Sequence, residues 1–169
     1  HYGETFEGLW WNYKNEWSLE SQSAFSSLGF CHQVWLRPGN TRSGKDADLM
    51  IWNLFDDSKE QIKRKRQGLD FLRMDSAYCN QYVIKSCLEE GAFFTITANK
   101  ATTNWHNEVE SQGIDWKPWE YTAEETKKFK RTSTMPPKIE LGRIWWRPSW
   151  SDEKLCFPII VKRTWKSFC

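Results

Sequence analysis

Apolar and polar positions alternate most regularly in the first hundred residues. Across residues 30–36 the period is two, with Phe30, His32, Val34 and Leu36 on one face and Cys31, Gln33 and Trp35 on the other. That pattern predicts a strand. Arg37-Pro38-Gly39-Asn40 ends it, since proline fixes φ and glycine accepts the positive φ of a type II turn. From Ala47 the period becomes helical: Ala47, Met50, Ile51, Leu54, Phe55 and Ile62 form a stripe opposite Asp48, Asp56, Lys59 and Glu60. Ser43 is the expected N-cap, with Asp46 reaching back toward the exposed amides. The run Lys63-Arg64-Lys65-Arg66 closes this helix where cations complement its dipole, and Gly68 stops it.

Residues 69–74 predict a short buried strand that delivers Asp75-Ser76 at its end. Residues 80–90 predict a helix with Tyr82 or Val83, Cys87 and Leu88 inward and Gly91 as its stop. Residues 92–98 are strand-like, being rich in aromatic and β-branched side chains. Residues 4–14, which mix aromatics with polar residues, read as strand or strand edge. The middle of the chain therefore runs strand, helix, strand, helix, strand, the grammar of an α/β layer.

After residue 99 the pattern changes. Residues 100–138 are polar and punctuated by tryptophan, with a helix near 124–130 and a break at Pro136-Pro137. Residues 139–146 and 155–165 then read as two strands around a Pro-Ser turn, a hairpin-like β extension in which Pro158 favours an edge or bulged position. The expected organisation is a core over 1–99 and a Trp-rich, mainly β segment over 100–169.

Composition narrows the function classes. The chain holds 12 Trp in 169 residues, and 24 basic against 22 acidic residues give a net charge of +2. Such a balance excludes an obligate nucleic-acid coat, so any DNA contact must come from local clusters: Lys63 to Arg66, and Lys127, Lys128, Lys130 and Arg131. Either cluster also reads as a solvated helix end. Tryptophans at the rim of a core, or stacked on bases or sugars, fit the composition equally. The five cysteines form no C-x-x-C pair and the three histidines no zinc-ligand spacing, which predicts free thiols. No run of about 18 apolar residues predicts a membrane span. No signal peptide is visible, and the opening on His1 rather than methionine predicts a piece of a longer protein.

Enzymatic templates are few. There is no P-loop, no G-x-G-x-x-G and no G-x-S-x-G, and nothing in the spacing favours His32 and Cys79 as a thiol–imidazole pair. What remains is Asp75. A carboxylate at the carboxyl end of a strand points into the crevice where α/β sheets place ligands, and hard divalent cations take such oxygen ligands. The alternative is an aspartate that starts the loop and caps the next turn.

The stretch Leu36-Arg37-Pro38-Gly39-Asn40-Thr41-Arg42-Ser43-Gly44, a helix, and then Phe71-Leu72-Arg73-Met74-Asp75-Ser76-Ala77-Tyr78 resembles the DDE transposases of bacterial insertion sequences, of the DDE group 1 type. In that family an LRPGN strand end precedes a helix, and a later strand ends in a motif like RxDSGF that carries the second catalytic acid. His1-Tyr2-Gly3-Glu4-Thr5-Phe6-Glu7-Gly8 is similar to the stretch just after the family's first catalytic aspartate. Ala77-Tyr78 stand where Gly-Phe is usual. The resemblance covers residues 1–98, and residues 139–165 look like the family's β insertion.

The resemblance implies a ribonuclease-H-like α/β fold, a mixed sheet flanked by helices, with a C-terminal β-rich insertion. It also implies phosphoryl transfer on DNA with Asp75 as a catalytic metal ligand. Mg²⁺ (or Mn²⁺) is expected only in the complete site, because the family's first and third acids would fall before His1 and after Cys169. DNA, as transposon ends and target, would be the partner, with a homodimer as one assembly open to it, no membrane, and a cytoplasmic, nucleoid-associated location in bacteria. Arg37 and Asn40 could face DNA or fix the turn. Arg73 could meet phosphate or pair with a carboxylate such as Asp70. Lys63, Arg64, Lys65 and Arg66 are further DNA candidates. Trp145, Trp146 and Trp150 could touch the transposon end or cover the sheet. Two other readings stay open: a DNA-binding remnant without catalysis, and an unrelated Trp-rich module for carbohydrate or peptide.

Overall fold

A computed structural model of the chain describes residues 9–12, 14–63, 68–69, 71–132, 135–151 and 155–165. It is mixed α/β and divides into two units, His1–Thr102 and Thr103–Cys169. Among the described residues no helix is long and apolar enough to cross a membrane.

The first unit opens with β1 (Trp10–Trp11), β2 (Trp17–Phe25) and β3 (Cys31–Pro38), an antiparallel sheet in the order β1-β2-β3. The hydrophobic pattern hides β2 because its inward positions are polar: Gln22 is buried and Glu20 half-buried, while Trp17, Leu19 and Phe25 face outward. The same inversion affects β3. Val34 and Leu36 lie on the exposed face, and Gln33, Trp35 and Arg37 point inward.

Helix α1 (Ala47–Lys63) buries Ala47, Met50, Ile51, Phe55 and Ser58, with Leu54 half-buried and Ile62 exposed. Its entry differs from the expected cap. The Ser43 hydroxyl donates to Glu20, and Asp46 adopts a left-handed φ of 57° while its carbonyl accepts from the Met50 N–H. Lys63 is the last described residue of the helix; Arg64, Lys65 and Arg66 lie outside the described residues.

β4 (Phe71–Met74) and β5 (Phe93–Ile96) pair in parallel, with Met74 opposite Ile96. Between them run a 3₁₀ turn (Ser76–Tyr78) and α2 (Gln81–Glu89). Asn80 caps α2, its Oδ1 accepting from the Tyr82 and Val83 N–H groups at 3.0 Å each. Val83, Ile84 and Cys87 are the buried residues of α2, whereas Tyr82 and Leu88 are exposed. Val83 and Cys87 are thus inward as expected, with Ile84 beside them, and Leu88, at the end of the helix, is not. Gly91, at φ +65°, then reverses the chain into β5.

The core of this unit is Ala47, Ile51, Phe55, Val83 and Cys87, packed against Leu72, Met74, Phe94 and Ile96. Helices α1 and α2 thus cover one face of the parallel pair. Full burial of an aliphatic side chain such as Val83 contributes roughly 1.5–3 kcal/mol. Phe71, Arg73 and Phe93 lie on the uncovered face. The expectation of a strand buried throughout therefore fails for β4, which is half-buried and has β5 as its partner among the described residues. Burial pushes the Cys87 thiol up to about 11, which keeps it protonated and unreactive, and Cys31, Cys79, Cys87 and Cys156 are all free thiols.

The second unit holds α3 (Trp105–Ser111), β6 (Lys117–Pro118), α4 (Ala123–Arg131), β7 (Lys138–Trp146) and β8 (Phe157–Trp165). A capping box between Thr122 and Glu125 starts α4. The antiparallel sheet runs β6-β7-β8, and Pro158 sits on the edge strand opposite Trp145. Ile144, fully buried, and Trp146 form the inner face with Trp105, whose ring centroid lies 5.2 Å from that of Trp146. Gly142 is required here, because a Cβ would collide with the Ile114 side chain and crowd the Trp116 ring.

Further along the same face, Arg163 donates to Glu140 and lies between two rings, 4.1 Å from the centroid of Trp116 and 4.7 Å from that of Trp165. Lys138 pairs with Glu140 at 3.1 Å and also overlies Trp165. The Arg163 hydrogen bond, then that of Lys138, holds the Glu140 carboxyl below its ordinary value of 4.5. A carboxyl that titrates lower in the folded state stabilises that state above its unfolded value and stops doing so as pH falls through the lowered one. The second unit should therefore weaken below about pH 4.5, with a shallower acid limb in Glu140→Gln, as read by tryptophan fluorescence during acid titration.

Candidate functional site

The residues that hold Asp75 come from both stretches singled out in the sequence. Strand β4 ends at Met74, whose carbonyl accepts from the Thr97 N–H at 3.2 Å and so ties the strand end to β5. Asp75 follows in extended conformation, and its carboxylate accepts from the Ala77 N–H at 2.8 Å. Its own carbonyl accepts from the Tyr78 N–H at 3.3 Å, closing the 3₁₀ turn, and Asn99 donates to the Ser76 carbonyl from β5's side. Asp75 is exposed at the carboxyl ends of the parallel strands.

The segment after β3 lies against this turn. Gly44 has no Cβ where the Ala77 carbonyl sits, so any larger residue would push the two segments apart. Asn80, besides capping α2, donates to the Gly44 carbonyl at 3.4 Å. Arg37, only 8% exposed, donates to the carbonyls of Ser43 and Lys45 and lies 3.7 Å from Glu20. Ser43 in turn donates to Glu20 at 2.9 Å, and Gln22 donates to the Ser43 carbonyl at 3.4 Å. Tyr78 joins the group: burial, then the Asp75 charge, raises its pKa, while a hydrogen bond from Gln22 opposes that. One polar cluster therefore runs from β2 through Arg37 and the 43–45 turn to the residues flanking Asp75.

Arg37 serves the turn. Its guanidinium is enclosed and donates to backbone carbonyls, the turn-fixing one of the two readings the sequence left open, and not the DNA-facing one. Asn40 is exposed just after β3. Arg73 is exposed on the uncovered face of β4, the opposite side from Leu72 and Met74 and opposite Thr95 in register, so it does not share the core-facing side of its strand. Its suggested partner Asp70 lies outside the described residues. Lys63 is exposed and paired with Glu60 one helical turn back. Trp146 is buried while Trp145 is half exposed, dividing residues that the sequence had grouped together.

The pattern missed Glu20, Gln22 and Tyr78. The first two sit on the inward face of a strand without an apolar stripe, so periodicity carried no sign of them. Tyr78 was visible only as part of the motif, and its contact with β2 is long-range.

Hard divalent cations need several converging oxygen ligands. Among the described residues no three His, Cys, Asp or Glu side chains cluster to hold one. Asp75 offers a single carboxylate that already accepts from Ala77, and Glu20, the other acid of the cluster, is engaged by Arg37 and Ser43. These residues do not by themselves fit a metal ion.

No family model matches the sequence, and no match was found among curated proteins or solved structures.

Proposed function

We propose that this chain is a piece of the catalytic domain of a cut-and-paste DNA transposase of the DDE type, with a ribonuclease-H-like fold and Asp75 as one of its catalytic acids. The observation that carries the reading is the exposed carboxylate at the carboxyl end of β4, beside β5, the place where α/β layers present ligands. The first unit supports it with strands in both orientations and two helices over the parallel pair. The two motif stretches support it by meeting at Gly44 and Ala77.

In a complete site of this class, divalent cations supply stabilisation of the attacking and leaving oxygens during phosphodiester cleavage and joining. Within residues 1–169 the part left to the chain is to hold Asp75 in place, through the Ala77 N–H and the turn buttressed by Arg37. The remaining acids are expected elsewhere in the full protein, and DNA, as transposon ends and target, is the partner. A second reading, DNA binding without cleavage, draws on the same Asp75–Ala77 hydrogen bond, because a turn-capping aspartate makes it too.

The test compares residues 1–169 with the chain extended through its neighbouring coding sequence, each given Mg²⁺ and duplex carrying the element's ends. The extended protein should nick the DNA, and Asp75→Asn should slow it at least about a hundredfold, the scale for removing a directly acting electrostatic group. The short chain should leave DNA intact. Cleavage by the short chain, none by the extended one, or undiminished cleavage by Asp75→Asn contradicts the proposal.

A further inference from the structure

Strands β2 and β3 turn their charges inward and their apolar side chains out. Between residues 17 and 38 the acidic and basic side chains are Glu20 and Arg37, which point inward and lie 3.7 Å apart. The outer face therefore carries no Asp, Glu, Lys or Arg. Trp17, Leu19, Phe25, Val34 and Leu36 are 38% to 68% exposed on it, and the Trp11 ring, 5.2 Å from that of Trp17, extends the same side. Their apolar surface is on the order of 700 Å², more than a monomer usually leaves in one patch and close to the ~800 Å² each partner gives to a stable interface. Size alternates across the strands as well. In register, Ser21 lies beside Leu36, Ser23 beside Val34, and Phe25 beside Cys31. Each of these rows pairs one large side chain with one small one.

We propose that this face joins two copies of the chain, their β2–β3 sheets packed face to face about a two-fold axis parallel to the strands. Such an axis, midway between β2 and β3, lays β2 of one copy over β3 of the other and keeps every row in place. Leu36 then lies over the partner's Ser21, Val34 over the partner's Ser23, and Phe25 over the partner's Cys31. Bumps enter hollows in each row, as the inner faces of packed sheets require. The missing charge decides the class of occupant. A nucleic acid or a charged peptide finds no ion-pair partner on this face, and an anionic membrane finds no cation. A second copy brings an equally uncharged surface whose contour fits. Nothing in the inference uses Asp75, so it stands or falls apart from the catalytic reading.

The experiment is sedimentation equilibrium of the full chain with its thiols kept reduced. At micromolar concentration the protein should show twice the 20.2 kDa mass of one chain. Raising KCl from about 0.05 to about 0.5 M should not dissociate it, since no charged side chain takes part. Leu36→Asp should weaken the dimer at least about a hundredfold. Ser21→Leu sets leucine over leucine and should weaken it at least about tenfold. Ser21→Leu/Leu36→Ser exchanges the two sizes within the row and should return affinity to within about threefold of the parent. Trp52→Ser, at an exposed site on α1, should dimerise like the parent, and circular dichroism checks that each variant is folded. The inference is overturned by a monomer at every concentration, by assemblies larger than a dimer, by dissociation in salt, or by Leu36→Asp dimerising like the parent. Tighter association of Ser21→Leu would overturn it too, because an indiscriminate apolar patch gains from an added leucine and this packing does not. So would a size-exchanged variant no better than Ser21→Leu, or binding to phosphatidylcholine vesicles in preference to dimerisation.

Discussion

Truncating Ile144 to alanine is expected to destabilise the second unit by about 3–4 kcal/mol. Ile144 is fully buried at the middle of β7, opposite Ile159, and shares the inner face with Gly142 and Trp146. The segment at Ile114 and Trp116 rests on that face at Gly142, so the cavity left by truncation lies beneath a covering already fitted closely to the hairpin. Collapse of the site is limited by Trp146, whose ring is engaged by both Trp105 and Phe157. For a unit of this size such a loss approaches the whole folding free energy, so the variant should be largely unfolded at 37 °C. Ile144→Val removes one methylene and should cost only about 1 kcal/mol. Urea unfolding followed by tryptophan fluorescence distinguishes these outcomes, and an alanine variant as stable as the parent contradicts this packing.

Arg37→Ala is expected to destabilise the first unit by about 3 kcal/mol, the low end for breaking a buried pair, because Glu20 retains some access to water. Substitution removes donors to the Ser43 and Lys45 carbonyls and leaves Glu20, among the described residues, with the Ser43 hydroxyl. For about a hundred residues this corresponds to a fall in Tm of more than about 10 °C. Arg37→Lys should recover little, since an ammonium does not reproduce the fork that spans two carbonyls. The loss should reach Asp75 as well, because the 43–45 turn supports the Ala77 carbonyl through Gly44. Hydrogen exchange at Ala77 should therefore quicken in both variants. If either leaves the melting curve and the Ala77 amide unchanged, Arg37 has no part in holding the turn.

These two sites also mark what the sequence made readable. Helices α1 and α2 and the parallel strands were visible because their apolar residues recur at the periods of helix and strand over a buried face. Asp75 was readable as a strand-end acid because the run Leu72-Arg73-Met74 stops at it. Strand β2 was invisible for the opposite reason: its inward side chains, Glu20 and Gln22, are polar and hydrogen-bond to Ser43, more than twenty residues away. That non-local pairing also turns Gln33 and Arg37 of β3 inward and moves Ser43 from its expected cap to a bond with Glu20. In the second unit the hairpin was legible from its β-branched and aromatic runs, with Pro158 rightly placed at an edge. Helix α3 is short and polar, and β6 has two residues, so neither left a period to detect.

The proposed role of Asp75 as a metal ligand is tested most directly by exchanging its oxygen for sulfur. In the protein extended through its neighbouring coding sequence, Asp75→Cys should lose DNA cleavage with Mg²⁺ and regain part of it with Mn²⁺, the softer and more thiol-tolerant ion. An Asp75→Cys protein that cuts DNA with Mg²⁺ at the parent's rate would show that the carboxylate at the end of β4 caps its turn and holds no metal.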